Sequence, residues 1–250
     1  MTDFTKTITM SSAAAFVEVM GGQPLDRWKV NIQLPPQERM SFRNLLRSGH
    51  RNLYAGLSTC LGYSCVFYFP AIYGLEHIYN RFGIHNDFSK TLFVTTFISS
   101  GVSWFEGVKT DQQVNNYRNK HIFEISKDRF KQYGIRGIMP SYPMTFAREL
   151  CYCTGLLVLS PMIAKRIEIG NKHISAFIGG CLAAIVSQSV SQPFDTIKTR
   201  QEKYKTSVRT VVRELMKHEN VFSLWRGVMP RCIRGMWSIS CMSVMMNLIT

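Results

Sequence analysis

The chain reads as long stretches without Asp, Glu, Lys or Arg, separated by short charged linkers. Two of the uncharged stretches are long, 52–75 and 173–194; shorter ones run over 91–105, 150–164 and 235–250, and a weaker one over 7–17. Six apolar segments result, each near or just under the roughly 20 residues that span a bilayer. No run of 18 strictly apolar residues occurs, so hydropathy alone also allows a soluble helical core. Small residues punctuate the segments, with Ala13, Ala14 and Ala15 in the first and Gly179, Gly180, Ala183 and Ala184 in the fifth. In membranes such composition lets helix backbones approach closely.

Charge placement favours the membrane. The chain carries a formal net charge of +14, which fits either nucleic acid or anionic lipid. The basic residues, however, follow the odd-numbered segments: Arg39, Arg43, Arg47 and Arg51 after the first, Arg118, Lys120, Lys127, Arg129 and Lys131 after the third, and Lys198 to Lys217 after the fifth. The linkers after the second and fourth are poorer in them. The positive-inside rule produces that alternation, and a nucleic-acid binder has no reason to show it. The seven cysteines are odd in number and form no CxxC pair, so they read as reduced thiols rather than as disulfides or a zinc site. There is no GxxxxGK[ST], no HExxH and no ligand spacing among the six histidines, which argues against an enzyme, a metal site or a cofactor. The N-terminal MTDFTKTITM has neither an h-region nor an Arg-rich amphipathic pattern, so no cleavable presequence is expected.

A broken, charged helix end occurs three times: PLDRWKVNIQ at 24–33, WFEGVKTDQQ at 104–113 and PFDTIKTRQE at 193–202. Pro24, Trp104 and Pro193 stand at matched offsets, followed by Asp26, Glu106 and Asp195, then by Lys29, Lys109 and Lys198. A second element follows each copy, LYAG at 53–56, GIRG at 134–137 and LWRG at 224–227. Proline inside a helix removes a backbone bond and kinks the axis, so Pro24 and Pro193 can swing charged helix ends toward a common centre. Each acid lies three residues before its lysine, which also permits weak pairs within one helix.

These motifs resemble the mitochondrial carrier family, whose pattern is P-x-[DE]-x-x-[KR]-x-[KR]-x-Q in triplicate. The third copy departs only at Glu202, where Gln is usual; the first has Asn31 and the second Asp111 in place of a basic residue, and Trp104 replaces the second proline. The resemblance covers essentially the whole chain. It implies an all-α membrane protein of six tilted transmembrane helices in three pseudo-symmetric repeats, 1–86, 87–171 and 172–250, with short amphipathic helices on the matrix side of the mitochondrial inner membrane. It implies pairing between helices, Asp26 with Lys109, Glu106 with Lys198 and Asp195 with Lys29, as a matrix gate braced by Gln33 and Gln113. Without proline, the third helix is expected to be straighter.

The resemblance further places a solute near mid-membrane, seven residues after the glycine of each second element. Counting from Gly56, Gly137 and Gly227 gives Tyr63, Met144 with Thr145, and Arg234. Arg234 is a planar, permanently charged donor suited to carboxylate or phosphate. Arg148 and Glu149, one turn on from Met144, can pair with each other or bind the solute, and Glu18, a charge within the first segment, is a functional candidate or a partner for Arg234. At the opposite end the same counts give Glu76 with Tyr79, Leu157 with Ser160 and Asn247 with Thr250, a gate with one acid left. Cardiolipin sites are expected at helix starts, at Arg136 with Gly137 and at Trp225, Arg226 and Gly227.

Two functions fit. One is transport of a small anionic metabolite by alternating access; the other is a degenerate carrier serving as a structural subunit of an inner-membrane complex of the respiratory type.

Overall fold

The computed structural model describes residues 3–33, 40–47, 54, 57–82, 86–114, 121–134, 139, 141–167, 170–204 and 206–249. Regular structure among them is entirely helical. In chain order the elements are α1 (Asp3–Gln33), α2 (Phe42–Arg47), α3 (57–81), α4 (Asp87–Val114), α5 (Ile122–Tyr133), α6 (Tyr142–Ile167), α7 (Lys172–Tyr204), α8 (Val208–His218), a 3-10 turn at Val221–Trp225, and α9 (Val228–Ile249). Helices α1, α4 and α7 are the longest, at 31, 28 and 33 residues. At a rise of 1.5 Å per residue they reach about 42–50 Å, more than a hydrocarbon core requires.

By length and composition, two helices among the described residues are apolar enough to cross a membrane: α6 and α7, with mean hydropathy 1.3 and 1.6 over their best windows. The others are diluted by polar residues that the fold turns inward. In α4, Thr91, Thr95, Ser99 and Ser103 recur every four residues and are all buried, while Phe88 and Phe97 on the same helix are exposed. Four-residue spacing keeps side chains on one face of a helix, so this helix is polar inside and apolar outside. Helices α1 and α7 repeat the pattern, with Ser11, Glu18 and Gln23 buried against exposed Phe16, Val17 and Met20, and Ser187, Gln188 and Ser191 buried against exposed Val186 and Val190. Such an arrangement is the reverse of a water-soluble core.

The six longest helices pack in sequence order, α1 on α3, α3 on α4, α4 on α6, α6 on α7, α7 on α9 and α9 back on α1. They close into a ring. Tight contacts hold part of it together: a Cβ added to Gly179 would lie 2.8 Å from the Ser160 carbonyl oxygen, and one added to Gly180 would lie 2.8 Å from Ser240 Cα. Those glycines let α7 meet α6 and α9 backbone to backbone, as their composition led one to expect.

Helices α3 and α6 each contain one widened π turn, at Ser64–Tyr68 and Gly155–Leu159. A proline stands two residues beyond each, Pro70 and Pro161. Proline has no N–H to give to the carbonyl four residues back. The chain absorbs the lost bond by widening the turn before it, where Phe69 N–H reaches Ser64 O and Ser160 N–H reaches Gly155 O.

Candidate functional site

The ends of α1, α4 and α7 converge on three ion pairs, each between helices. Lys109 Nζ lies 2.5 Å from Asp26 Oδ2, Lys29 Nζ lies 3.2 Å from Asp195 Oδ2, and Lys198 pairs with Glu106. These join α4 to α1, α1 to α7 and α7 to α4. Gln33 is fully buried beside the second pair, donating to Asp195 Oδ2 at 2.6 Å and accepting from Thr199 Oγ1 at 2.9 Å. Glu202, at the matching position of α7, accepts from Ser141 Oγ at 2.6 Å and Thr110 Oγ1 at 2.7 Å and stands 3.7 Å from Lys198. The Gln113 side chain lies outside the described residues.

Next to this network is a cavity of about 130 Å³ walled by aromatic rings and charges. Tyr63, Tyr68, Phe69, Phe105 and Tyr152 form much of its apolar wall. Arg148, Arg231 and Arg234 enter it along with the three lysines, opposed by Glu18 and Glu149 as well as Asp26, Glu106, Asp195 and Glu202. Within so low a dielectric, a charge left without a partner is costly, and the side chains are arranged so that each charge has one. Arg234 bridges Glu18 at 2.9 Å and Asp26 at 2.8 Å. Arg148 joins three carboxylates: it pairs with Glu149, lies 2.7 Å from Glu106 and 3.3 Å from Asp195. Glu149 also accepts from Tyr68 Oη at 2.6 Å. Arg231 donates to Gln188 Oε1 at 2.6 Å and Ser191 Oγ at 2.8 Å and stands 3.3 Å from Asp195.

Of the solute positions counted from the sequence, Tyr63 and Arg234 line the cavity and Met144 and Thr145 do not. Met144 is half-buried in the first turn of α6, and Thr145 is fully buried with its hydroxyl unbonded. The second repeat differs from the other two in where its helix starts relative to the counted glycine. Helix α9 starts directly after Gly227 and the helical run of α3 directly after residue 56, but α6 starts after Ser141, four residues beyond Gly137. Counting seven from Ser141 gives Arg148, which the structure does place in the wall. The sequence offered Gly137 because it completes a GIRG match; the signal for Ser141 was the Pro143 one residue into the helix, a residue type suited to a first turn. Arg231 was missed altogether, and its only signal is a second arginine one turn before Arg234.

The repeat's departures also have local partners. Asn31 exchanges two hydrogen bonds with the Met40 backbone, at 2.7 and 3.0 Å. Asp111 lies 2.5 Å from Arg129 Nε, and Arg129, on α5, is itself buried and donates to Gly107 O at 2.6 Å. Trp104 donates from Nε1 to Ser126 Oγ of α5 at 2.9 Å, so the residue replacing proline ties α4 to its surface helix.

At the far end of the ring Glu76 pairs with Lys90 of α4 at 3.3 Å, Leu157 is buried, and Ser160 and Ser243 share a hydrogen bond of 2.6 Å. The side chains of Asn247 and Thr250 lie outside the described residues. So do Arg136 and Gly137 of the second helix start. At the third, Trp225 is half-exposed and donates to Ser189 O at 3.2 Å, Arg226 pairs with Glu219, and Gly227 has φ +82°, a conformation that favours glycine.

Residues 170–249 match the family model described as mitochondrial carrier protein. The mitochondrial citrate transporter A of Aspergillus niger is 29% identical over 150 residues, covering 53% of this chain and 50% of that protein. The mitochondrial glycine transporter of Emericella nidulans is 28% identical over 133 residues, 48% of this chain and 40% of the relative. A longer match joins the chain to the mitochondrial carnitine/acylcarnitine carrier protein of Mus musculus, 25% identical over 257 aligned positions, 87% of this chain and 84% of the carrier. The chain thus spans half the length or less of the first two relatives and most of the third.

Proposed function

We propose that the chain is a mitochondrial carrier of the inner membrane, the family whose model matches residues 170–249, and that it moves a small metabolite across that membrane by alternating access, holding an anionic group of the solute on Arg234. In this reading α1, α3, α4, α6, α7 and α9 are six transmembrane helices, forming three repeats over 1–86, 87–171 and 172–250. Helices α2, α5 and α8 lie on the matrix side. The three pairs Asp26–Lys109, Glu106–Lys198 and Asp195–Lys29, braced by Gln33 and Glu202, are the matrix gate. They must separate in every cycle, and the solute offsets their loss by binding more strongly as the helices move.

The observation that carries this reading is the register of Tyr63, Arg148 and Arg234. Each is seven residues into its helix, and all three face one cavity bordered by the gate pairs. Citrate, glycine and carnitine, named for three relatives, all bear a carboxylate, which a planar guanidinium can grip with two parallel hydrogen bonds. Anionic lipid, cardiolipin included, is the further partner we propose, at Trp225, Arg226 and Gly227 and at the corresponding Arg136 and Gly137. Reconstituted into liposomes, the protein is expected to exchange a carboxylate- or phosphate-bearing metabolite, and Arg234→Ala to lower its affinity at least about tenfold, since a lost charged hydrogen bond is worth about 1.5–3 kcal/mol. Full exchange by the variant would remove Arg234 from the site.

A second reading, a subunit of an inner-membrane complex, has one observation in its favour: Arg234 is already held on both sides by Glu18 and Asp26. A subunit can keep those pairs permanently. It also needs a protein contact of more than roughly 1,000 Å² on its outer face. Comigration with a large complex after mild-detergent extraction supports the subunit; a lone monomer in size exclusion opposes it.

A further inference from the structure

Charge in the cavity wall is balanced, with six carboxylates facing six cationic side chains. Most of the carboxylates are satisfied more than once. Asp195 meets Lys29, Arg148, Arg231 and Gln33, and Glu149 meets Arg148 and Tyr68. Glu18 differs. It is 1% exposed, and beyond an ion pair with Arg234 and the neighbouring Ser238 hydroxyl its oxygens have no hydrogen-bond donor of good geometry among the described residues. A carboxylate has about four acceptor positions, so this one faces the cavity with much of its hydrogen-bonding capacity unspent.

A solute that is only an anion can take Arg234 from Glu18, but it then leaves Glu18 as a buried charge among aromatic walls. Arg234 would keep Asp26, while Glu18 would keep no ion pair among the described residues. A solute with a cationic end solves both problems. Its carboxylate takes the guanidinium, and its ammonium, with three N–H donors, takes Glu18. One internal pair is replaced by two pairs with the solute, and the wall remains neutral throughout.

Resting on the carrier reading above, we propose that the solute is a small zwitterion of the amino-acid class, its carboxylate on Arg234 and its ammonium group on Glu18. The roughly 130 Å³ of free space suits a small member of that class. Because such a solute brings no net charge, its transport is electroneutral.

The test uses the full chain, purified in mild detergent and reconstituted into liposomes, with two probe panels: glycine, serine, proline and glutamine as zwitterions, and citrate, malate and phosphate as anions. The wild type is expected to exchange at least one zwitterion at a rate unchanged by a potassium diffusion potential. Glu18→Gln should lower that exchange at least about tenfold, the loss expected for a charge-assisted hydrogen bond, while the variant melts as a single folded species. Should Glu18→Gln not fold, Glu18→Asp keeps the charge, withdraws it by one methylene, and should raise the KM for the zwitterion more than it lowers the maximal rate. Exchange of anions without zwitterions overturns the proposal and leaves the carrier reading standing. Wild-type rates in both Glu18 variants also overturn it. Exchange of nothing from either panel removes the carrier reading, and this inference with it.

Discussion

Ser141 Oγ donates a hydrogen bond to Glu202 Oε1 at 2.6 Å, fastening the residue that opens α6 to the end of the charged run on α7. Glu202 stands where the repeat ordinarily has glutamine, and its other oxygen accepts from Thr110 of α4. One side chain therefore ties three helices together.

We predict that Glu202→Gln is mild, within about 1 kcal/mol, because the amide oxygen can still accept one of the two hydroxyl bonds and the ion contact to Lys198 is long, at 3.7 Å. Glu202→Ala strands Ser141 and Thr110 together and is expected to lower stability by about 1.5–3 kcal/mol. Thermal melting of the detergent-purified protein separates the two; equal melting temperatures would show that Glu202 braces nothing.

Charge reversal should depend steeply on place. Lys198 is 2% exposed and lies between Glu106 and Glu202, whereas Arg209 is exposed on the first turn of α8. Lys198→Glu puts a third carboxylate beside buried Glu202 and part-buried Glu106 and is predicted to cost at least about 3–5 kcal/mol, the range for breaking a buried pair. Arg209→Glu should stay within about 0.5 kcal/mol, as surface substitutions do. Comparable losses in the two variants would mean that the helix ends are not packed as described.

Glycine substitutions provide a check on the ring itself. Gly179→Ala places a methyl 2.8 Å from the Ser160 carbonyl and 2.9 Å from the Ala164 amide, both backbone atoms that cannot rotate away. Helices α6 and α7 must then separate, with an expected loss of about 1–3 kcal/mol. Gly62→Ala meets nothing within 4 Å and sits inside a helix, so it should be neutral or stabilising by about 0.5–1 kcal/mol. Ranking the two by melting temperature tests the α6–α7 contact without touching any charge.

Much of this architecture was legible in the chain because the repeated motif is a set of charges, and charges cannot be hidden in a membrane without partners. Asp26, Lys29, Glu106, Lys109, Asp195 and Lys198 had to find one another, and they do so between helices. The polar stripe of Thr91, Thr95, Ser99 and Ser103 was harder to read. It lowers the hydropathy of α4 below that of a simple span, yet burial of that face is what makes the helix apolar on its outside. Met144 and Thr145 lie off the cavity wall. A motif match fixed the origin at Gly137, whereas α6, whose Arg148 lines the cavity, starts at Tyr142, and a four-residue difference moves a side chain a full turn along the axis. Arg148 was visible as a local partner for Glu149 or a ligand; its reach to Glu106 and Asp195 comes from helices distant in sequence and has no local signal.

The last prediction concerns Asp111, which breaks the repeat by putting an acid where a base is usual. In the third repeat the matching position is Arg200, and its partner is Glu219, 2.8 Å away after the surface helix α8. In the second repeat the signs are exchanged, with Asp111 on the long helix and Arg129 on the surface helix α5. The same link between a long helix and the surface helix that follows it is thus made with reversed polarity. Arg129 is 4% exposed and Asp111 2% exposed, so either charge alone would be buried without its counter-ion. Asp111→Lys should therefore bring two cations together and destabilise by about 3–5 kcal/mol, and Arg129→Glu should do the same with two carboxylates. The double variant Asp111→Lys with Arg129→Glu restores opposite signs in the orientation of the third repeat and should recover a large part of the loss, a coupling of at least about 1 kcal/mol in a double-mutant cycle. Recovery will be incomplete, because glutamate cannot donate to the Gly107 carbonyl as Arg129 does at 2.6 Å. Additive losses in the double variant would show that the two residues act through separate contacts.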